Sequence, residues 1–405
     1  MTRWVKRVGI GLGVIAGLFV VWVIAGAVVY SPEYVARTLT SRESSVDDYL
    51  HGFPLRPLTA SATPFAFAEA QSSDARAAIE SAFGTTDLDV FLAETDTQAL
   101  IVIKDDIILS ETYGDGFGRD SMATSFSVAK SFDSVLVGIA IDEGLIDSVE
   151  DPITEYLPEL LGRDADFRRI TIRDLLLMAS GLDYQELRWW LFNGDDPLTT
   201  YYPDQREISL ANTNIVDPPG QYFLYNKYHP QLLGMILERT TGMSVTEYTQ
   251  SRLWDRIGME YDGAWSLDSE ESGFEKMEAG LNARPIDFAK LGRLILDQGK
   301  WEGEQIVSAG WVEESTSLDE TTHNAGYYSH AWGPFVFDDG HGFYKYMWYG
   351  LLREGGPADI MAEGDHGQFI YVSPAHDVII VRNGDEFGMS SGEWIDGFYR
   401  LAGEL

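Results

Sequence analysis

Between Val8 and Tyr30 the chain runs for 23 residues without a charge (VGIGLGVIAGLFVVWVIAGAVVY). A hydrocarbon layer offers no partner to a backbone N–H or C=O, so such a run crosses one only as a helix, which pairs these groups within itself. At about 1.5 Å per residue, it spans a core of about 30 Å with some tilt. Arg3, Lys6 and Arg7 precede it. A basic flank stays in the cytoplasm, which places the remaining chain outside, in a periplasmic or extracellular position. A cleaved signal peptide is the competing reading, because Ala25-Gly26-Ala27 resembles a small-residue cleavage site. The apolar run is long for a signal core, so residues 1–30 are expected to be an uncleaved anchor and the membrane a partner.

The rest is of a different kind. At 405 residues, with 45% hydrophobic side chains, the chain can bury a large core in two packed units or in one unit with a large insertion. Sixty-four acidic against 29 basic residues give a formal charge of −35. Such a field repels phosphate backbones, so no nucleic-acid partner is expected; solubility or a salty habitat accounts for the charge. The absence of cysteine excludes disulfides, a thiol nucleophile and thiolate metal sites.

Residues 31–64 are polar and carry Pro32, Pro54, Pro57 and Pro64, as suits a linker or an arm lying on the folded body. Leu100–Lys104 and Asp106–Ser110, with Asp105-Asp106 between them, read as a hairpin. From Ser127 to Glu143 apolar residues fall at near-helical spacing with Gly144 as a stop, which puts Ser127 in the first turn of a buried helix. Helical patterns follow at Ile172–Met178, Pro230–Thr240 and Val245–Arg256. Strand patterns return at Tyr346–Leu352, Gln368–Val372 and Val378–Val381, with turns at Ser373-Pro374 and Asn383-Gly384, before a closing helix at Glu393–Leu401. Strands at both ends and helices between predict an α+β fold: an antiparallel sheet from residues 65–149 and 281–405, flanked by helices, with a mostly helical region inserted at 150–280.

Several catalytic templates fail. Gly388-Met389-Ser390-Ser391-Gly392 matches a nucleophile elbow, but that chemistry needs a later histidine and the last one is His376. No HExxH helix, P-loop or GxGxxG occurs, and neither a metal nor a cofactor is expected. Ser127-Val128-Ala129-Lys130 remains. On one helical face, a lysine whose pKa burial lowers can take the proton of a serine hydroxyl, and N–H groups at the helix start can hold a developing oxyanion. A lone SxxK arises by chance about once in a chain of this size, and the first turn of an ordinary helix is then the alternative.

The stretch Pro218-Pro219-Gly220-Gln221-Tyr222-Phe223-Leu224-Tyr225-Asn226 makes the pattern specific. With the SxxK, it resembles the segment around the catalytic tyrosine of class C β-lactamases and their relatives, the β-lactamase/transpeptidase-like, penicillin-recognising superfamily. Thr171–Leu176, Ser180-Gly181-Leu182, Gly280–Pro285 and Asp287–Gly292 add to the resemblance. Gly364-Asp365-His366-Gly367-Gln368 points in particular to the 6-aminohexanoate-dimer hydrolases and related esterases. The resemblance implies that Ser127 attacks a carbonyl, Lys130 assists, Tyr225 shuttles the proton, and the N–H groups of Ser127 and Asp365 form the oxyanion hole. Tyr184, Asn226 and His366 are candidate substrate contacts, the last with an equally good structural reading. Dense aromatics (Trp189-Trp190, Tyr201-Tyr202, Tyr327-Tyr328, Trp332, Trp348-Tyr349) belong mostly to packing, with a few available to line an acyl pocket.

Two departures bear on substrate. The family's YxN becomes Tyr225-Asn226-Lys227, so that Asn226 would have to substitute or the polar wiring differs. The lactamase KTG is replaced by Ala362-Glu363-Gly364, which removes a cation that grips the lactam carboxylate. A small amide or ester substrate is therefore expected. A penicillin-binding D-Ala-D-Ala peptidase, a β-lactam sensor and a non-catalytic binding domain are the alternatives.

Overall fold

The computed structural model describes residues 3–40, 45–188, 190–320, 323–330 and 340–405. The apolar run lies in one helix, α1 (Arg3–Val29), of which Gly11–Val29 is long and apolar enough to cross a membrane.

Eight strands make the main sheet: β1 (Ala68–Glu69), β2 (Thr97–Lys104), β3 (Ile107–Tyr113), β4 (Gly342–Lys345), β5 (Trp348–Leu351), β6 (Asp359–Gly364), β7 (Gln368–Ser373) and β8 (Val378–Gly384). Their order is β4-β5-β6-β7-β8-β2-β3-β1, antiparallel except for β1 against β3. The two ends of the chain meet where β8 pairs with β2, Ile380 opposite Val102. The β2–β3 hairpin turns at Asp105 and Asp106, whose φ values of 50° and 60° suit the right-handed twist of the strands it joins.

Period-two alternation sends one face of β2 each way. Ile101 and Ile103 join the larger core, under helices α2 (Ala129–Asp142) and α3 (Pro285–Leu296). Leu100 and Val102 join a second core, under the helix Ser73–Phe83 and the closing helix α4 (Ser391–Glu404). Twelve consecutive residues of α2, Ala129 to Ala140, are buried. Gly138 permits this: a Cβ there would stand 2.5 Å from the Trp311 ring.

Beside this sandwich, residues 150–280 supply short helical segments and one strand, Gly263–Ser266, which joins a four-stranded sheet between Leu55–Leu58 and Leu281–Ala283. The proline-punctuated arm is thus packed: Tyr34, Tyr49 and Phe53 are buried, and Leu55–Leu58 pairs with Gly263–Ser266.

Two local expectations change. The helix expected over 245–256 ends at Thr249, and its last turn, Gln250–Trp254, widens to π geometry. Asn383-Gly384 is not a turn but the bulged end of β8, with Gly384 opposite Thr97. Strand β6, whose pattern MAEG is a weak strand former, is held by a buried Asp359 that accepts hydrogen bonds from Arg353 Nε at 2.6 Å and Ser373 Oγ at 2.7 Å.

Candidate active site

Ser127 lies in a 3₁₀ turn, Phe126–Val128, that leads into α2, so its side chain and that of Lys130 rise from one face. Lys130 Nζ is 2.7 Å from Ser127 Oγ and donates to the Glu278 carbonyl at 2.7 Å. The lysine is 1% exposed. Burial, aided by the Lys227 charge, lowers its pKa from 10.5 to about 7. Tyr225 stands over this pair, with Lys130 Nζ 4.9 Å from the centre of its ring. Burial raises the Tyr225 phenol and a hydrogen bond with Ser127 pulls the other way. The geometry therefore joins the three residues singled out by motif; Ser127 and Tyr225 keep partial exposure and Lys130 is the floor.

Strand β6 ends against the Ser127 turn. A Cβ on Gly364 would lie 2.5 Å from the Ser125 oxygen and 3.0 Å from Ser127 N, so only glycine lets the backbones meet and Asp365 follow beside Ser127. Phe126 and His366, each adjacent to one of the two backbone N–H groups, hold left-handed backbones at φ 43° and 57°. Such a conformation is uncommon outside glycine and is held here by packing. Their rings meet at 4.8 Å, and His366 Nδ1 donates to the Asp385 carbonyl at 2.7 Å. His366 thus supports the turn.

Arg382, which the sequence reading missed, anchors the same turn from below. It is fully buried on β8, lies over the Trp394 ring at 4.1 Å, and donates to the carbonyls of Gly367 at 2.5 Å, Thr95 at 2.8 Å and Glu386 at 3.0 Å. Burial lowers its pKa to about 9. Its only advance sign was a charged residue inside a strand-like run.

Two of the expected substrate contacts lie buried. Asn226 is fully buried: its Oδ1 accepts from Tyr228 N at 2.8 Å and its Nδ2 donates to the Leu182 carbonyl at 3.4 Å, so its amide is spent on the turn that enters the helix Tyr228–Thr241. Tyr184 is 9% exposed, its hydroxyl 3.3 Å from Thr199 Oγ1, behind Asp196. Lys227 takes the partly exposed position, paired with Asp196 and 3.3 Å from Thr200 Oγ1. Burial works against its charge, but Asp196 together with Glu278 and Asp365 outweighs it and holds the amine above the ordinary lysine value. On β6, burial raises Glu363 to about 7, and its carboxyl accepts from Ser391 Oγ. Tyr344 and Tyr349 stand at 4.9 Å from each other beside Tyr225, while Trp348 is core. Trp189 and Trp332 lie outside the described residues. Among the described residues no group of three or more His, Asp and Glu side chains has a metal-holding arrangement.

Known structures share this architecture. A class C β-lactamase superposes with a TM-score of 0.59 at 15% identity, over 82% of this chain and 97% of that one. A Bacillus anthracis protein described as a 6-aminohexanoate-dimer hydrolase does so with a TM-score of 0.72 at 23% identity, over 87% and 91%. The fold is that of the β-lactamase/transpeptidase class. The Beta-lactamase family model matches residues 92–388, and the chain belongs to the β-lactamase family of hydrolases. A 6-aminohexanoate-dimer hydrolase of Paenarthrobacter ureafaciens is 30% identical to it over 312 residues, 73% of this chain and 74% of that one.

Proposed function

We propose that the chain is a serine hydrolase that cleaves small amides or esters through an acyl-enzyme on Ser127. The observation that carries the reading is a buried amine with a pKa of about 7 held 2.7 Å from the serine hydroxyl, with a phenol over both.

In the first step Ser127 Oγ bonds to the carbonyl carbon as its proton passes to neutral Lys130. The N–H groups of Ser127 and Asp365 receive the oxyanion. Tyr225 relays a proton to the leaving nitrogen or oxygen as the bond to carbon breaks. Water then attacks the ester on Ser127, gives its proton back along the same path, and restores the hydroxyl.

The relative from Paenarthrobacter is named for a dimer of an amino acid, which an amide joins, and this supports linear amides alongside esters. Ala362-Glu363-Gly364 takes the place of the lactamase KTG in the sequence, and the missing cation speaks against a β-lactam carboxylate as the group bound there. Helix α1 supports anchorage in a membrane, with the basic flank inside and the hydrolase outside.

The test is turnover of p-nitrophenyl esters and labelling by a fluorophosphonate, for the full chain and for Ser127→Ala. Turnover and labelling that vanish together in the variant are expected. No labelling of the unaltered chain would leave a binding domain, and a lasting penicillin adduct on Ser127 would favour a penicillin-binding protein.

A further inference from the structure

We infer that α1 is a fixed wall of the catalytic body that seats the rim of the cleft on a lipid bilayer, so that the substrate is an amphiphilic ester or amide residing in the bilayer's interfacial layer. This rests on the serine-hydrolase reading and adds the substrate class.

A tether needs no contact with the body it carries, but α1 has one. Trp22, Val23, Gly26, Ala27 and Tyr30 form a stripe at helical spacing that is buried or half-buried, while Leu18, Val21, Ile24 and Val28 on the other faces are 56–80% exposed. Gly26 is the point of closest approach: a Cβ there would lie 2.6 Å from the Phe192 ring and 3.1 Å from Val35 Cγ2. Trp22 packs on Phe192 at 4.5 Å and Tyr30 on Trp190 at 5.8 Å. The Phe192 carbonyl accepts a hydrogen bond from the buried Tyr34 hydroxyl at 3.0 Å. Cleavage after Ala27 would strip Trp22 and Gly26 from this contact and uncover Phe192.

The receiving loop also edges the cleft. Asp195 N donates to the Gln185 carbonyl at 2.8 Å, and Asp195 Oδ2 accepts from Gln185 N at 2.7 Å, so residues 185–195 close on themselves. The next residue, Asp196, holds Lys227. One apolar cluster contains Phe192, Tyr34 and Tyr201 together with Phe126, the residue before Ser127. Trp22, Val23, Ala27 and Tyr30 of the span pack against this same cluster.

On the same loop Leu187 is 72% exposed. The same loop carries Trp190, which packs on Tyr30, and Trp and Tyr are the aromatic types that collect at a membrane interface. A bilayer is the occupant that covers both Leu187 and the bare faces of α1. The formal charge of −35 selects zwitterionic over anionic lipid.

The test uses the full chain in phosphatidylcholine nanodiscs. Because the chain has no cysteine, Leu187→Cys takes a single nitroxide, whose relaxation by oxygen and by a water-soluble nickel chelate reports depth. Headgroup depth is expected; full access to the chelate, or coupling to a nitroxide on a second copy, overturns the inference. Turnover is then compared between soluble p-nitrophenyl butyrate and a fluorogenic palmitate ester dissolved in the nanodisc. Gly26→Leu and Trp22→Ala, which disturb the seat and touch no reacting group, are expected to lower palmitate turnover about tenfold or more, within the reach of misplacement effects, and to leave butyrate within about twofold. Equal loss of both esters, or of neither, overturns it. Failure of the underlying reading shows differently, as Ser127→Ala turning over butyrate at the unaltered rate.

Discussion

Replacing Lys130 by methionine separates what the amine does for chemistry from what it costs in folding. Lys130 is 1% exposed, and its pKa falls from 10.5 to about 7, chiefly because burial penalises the charge. For a lysine lowered on folding, the unfolded chain binds more protons between the two values, so wild-type stability rises with pH across that window. It is lost as pH falls from the upper value toward about 7, and below that both states carry the proton. At ~1.36 kcal/mol per pH unit, the window from about 7 to pH 9 amounts to ~3 kcal/mol. Lys130→Met removes this dependence. It also leaves the Glu278 carbonyl without its lysine donor, at about 1–3 kcal/mol, but that cost is independent of pH and cancels when two pH values are compared. Urea unfolding of both chains in mild detergent, at pH 6 and pH 9, is the assay. The variant's stability relative to wild type is expected to be more favourable at pH 6 than at pH 9 by ~3 kcal/mol. An identical difference at the two pH values would refute a neutral amine beside Ser127, whatever the variant does to turnover.

In wild type, kcat/KM for a soluble ester should fall as pH drops below about 7, where Lys130 takes up a proton; a flat profile from pH 5 to 8 counts against lysine as the base. Tyr225→Phe keeps the ring that packs edge-on to Tyr344 at 6.3 Å, so turnover should drop by about 10²–10⁴ with an unchanged melting curve. Gly364→Ala drives a methyl onto the Ser125 oxygen and Ser127 N; a loss of about 10²–10³ in kcat is expected, and ordinary kcat would remove the β6 end from the oxyanion site. Arg382→Met takes the arginine donor from the buried carbonyls of Gly367 and Thr95, and a loss of about 3 kcal/mol or more in urea unfolding is expected.

Local chemistry made part of the site legible in advance. The SxxK spacing brings Ser127 and Lys130 together by helix geometry alone, and the β2–β3 hairpin follows from alternation around Asp105-Asp106. What stayed hidden depends on partners distant in sequence. Strand β6 looks unfavourable until Arg353, Tyr371 and Ser373 reach Asp359. Asn226 fits a polar contact in sequence, yet the turn into the next helix claims its side-chain oxygen through Tyr228 N, and the partly exposed position passes to Lys227. The ring pair Phe126 and His366, 240 positions apart, has no local signature at all.

Arg382 gives the site a remote dependence. Its guanidinium rests on Trp394 of α4 while its donors grip the turn that carries Asp365. Deuterium uptake at 365–367 should accordingly rise in step with any loosening of the last helix, and a protease that trimmed the C-terminus could silence the chain from the face opposite its cleft.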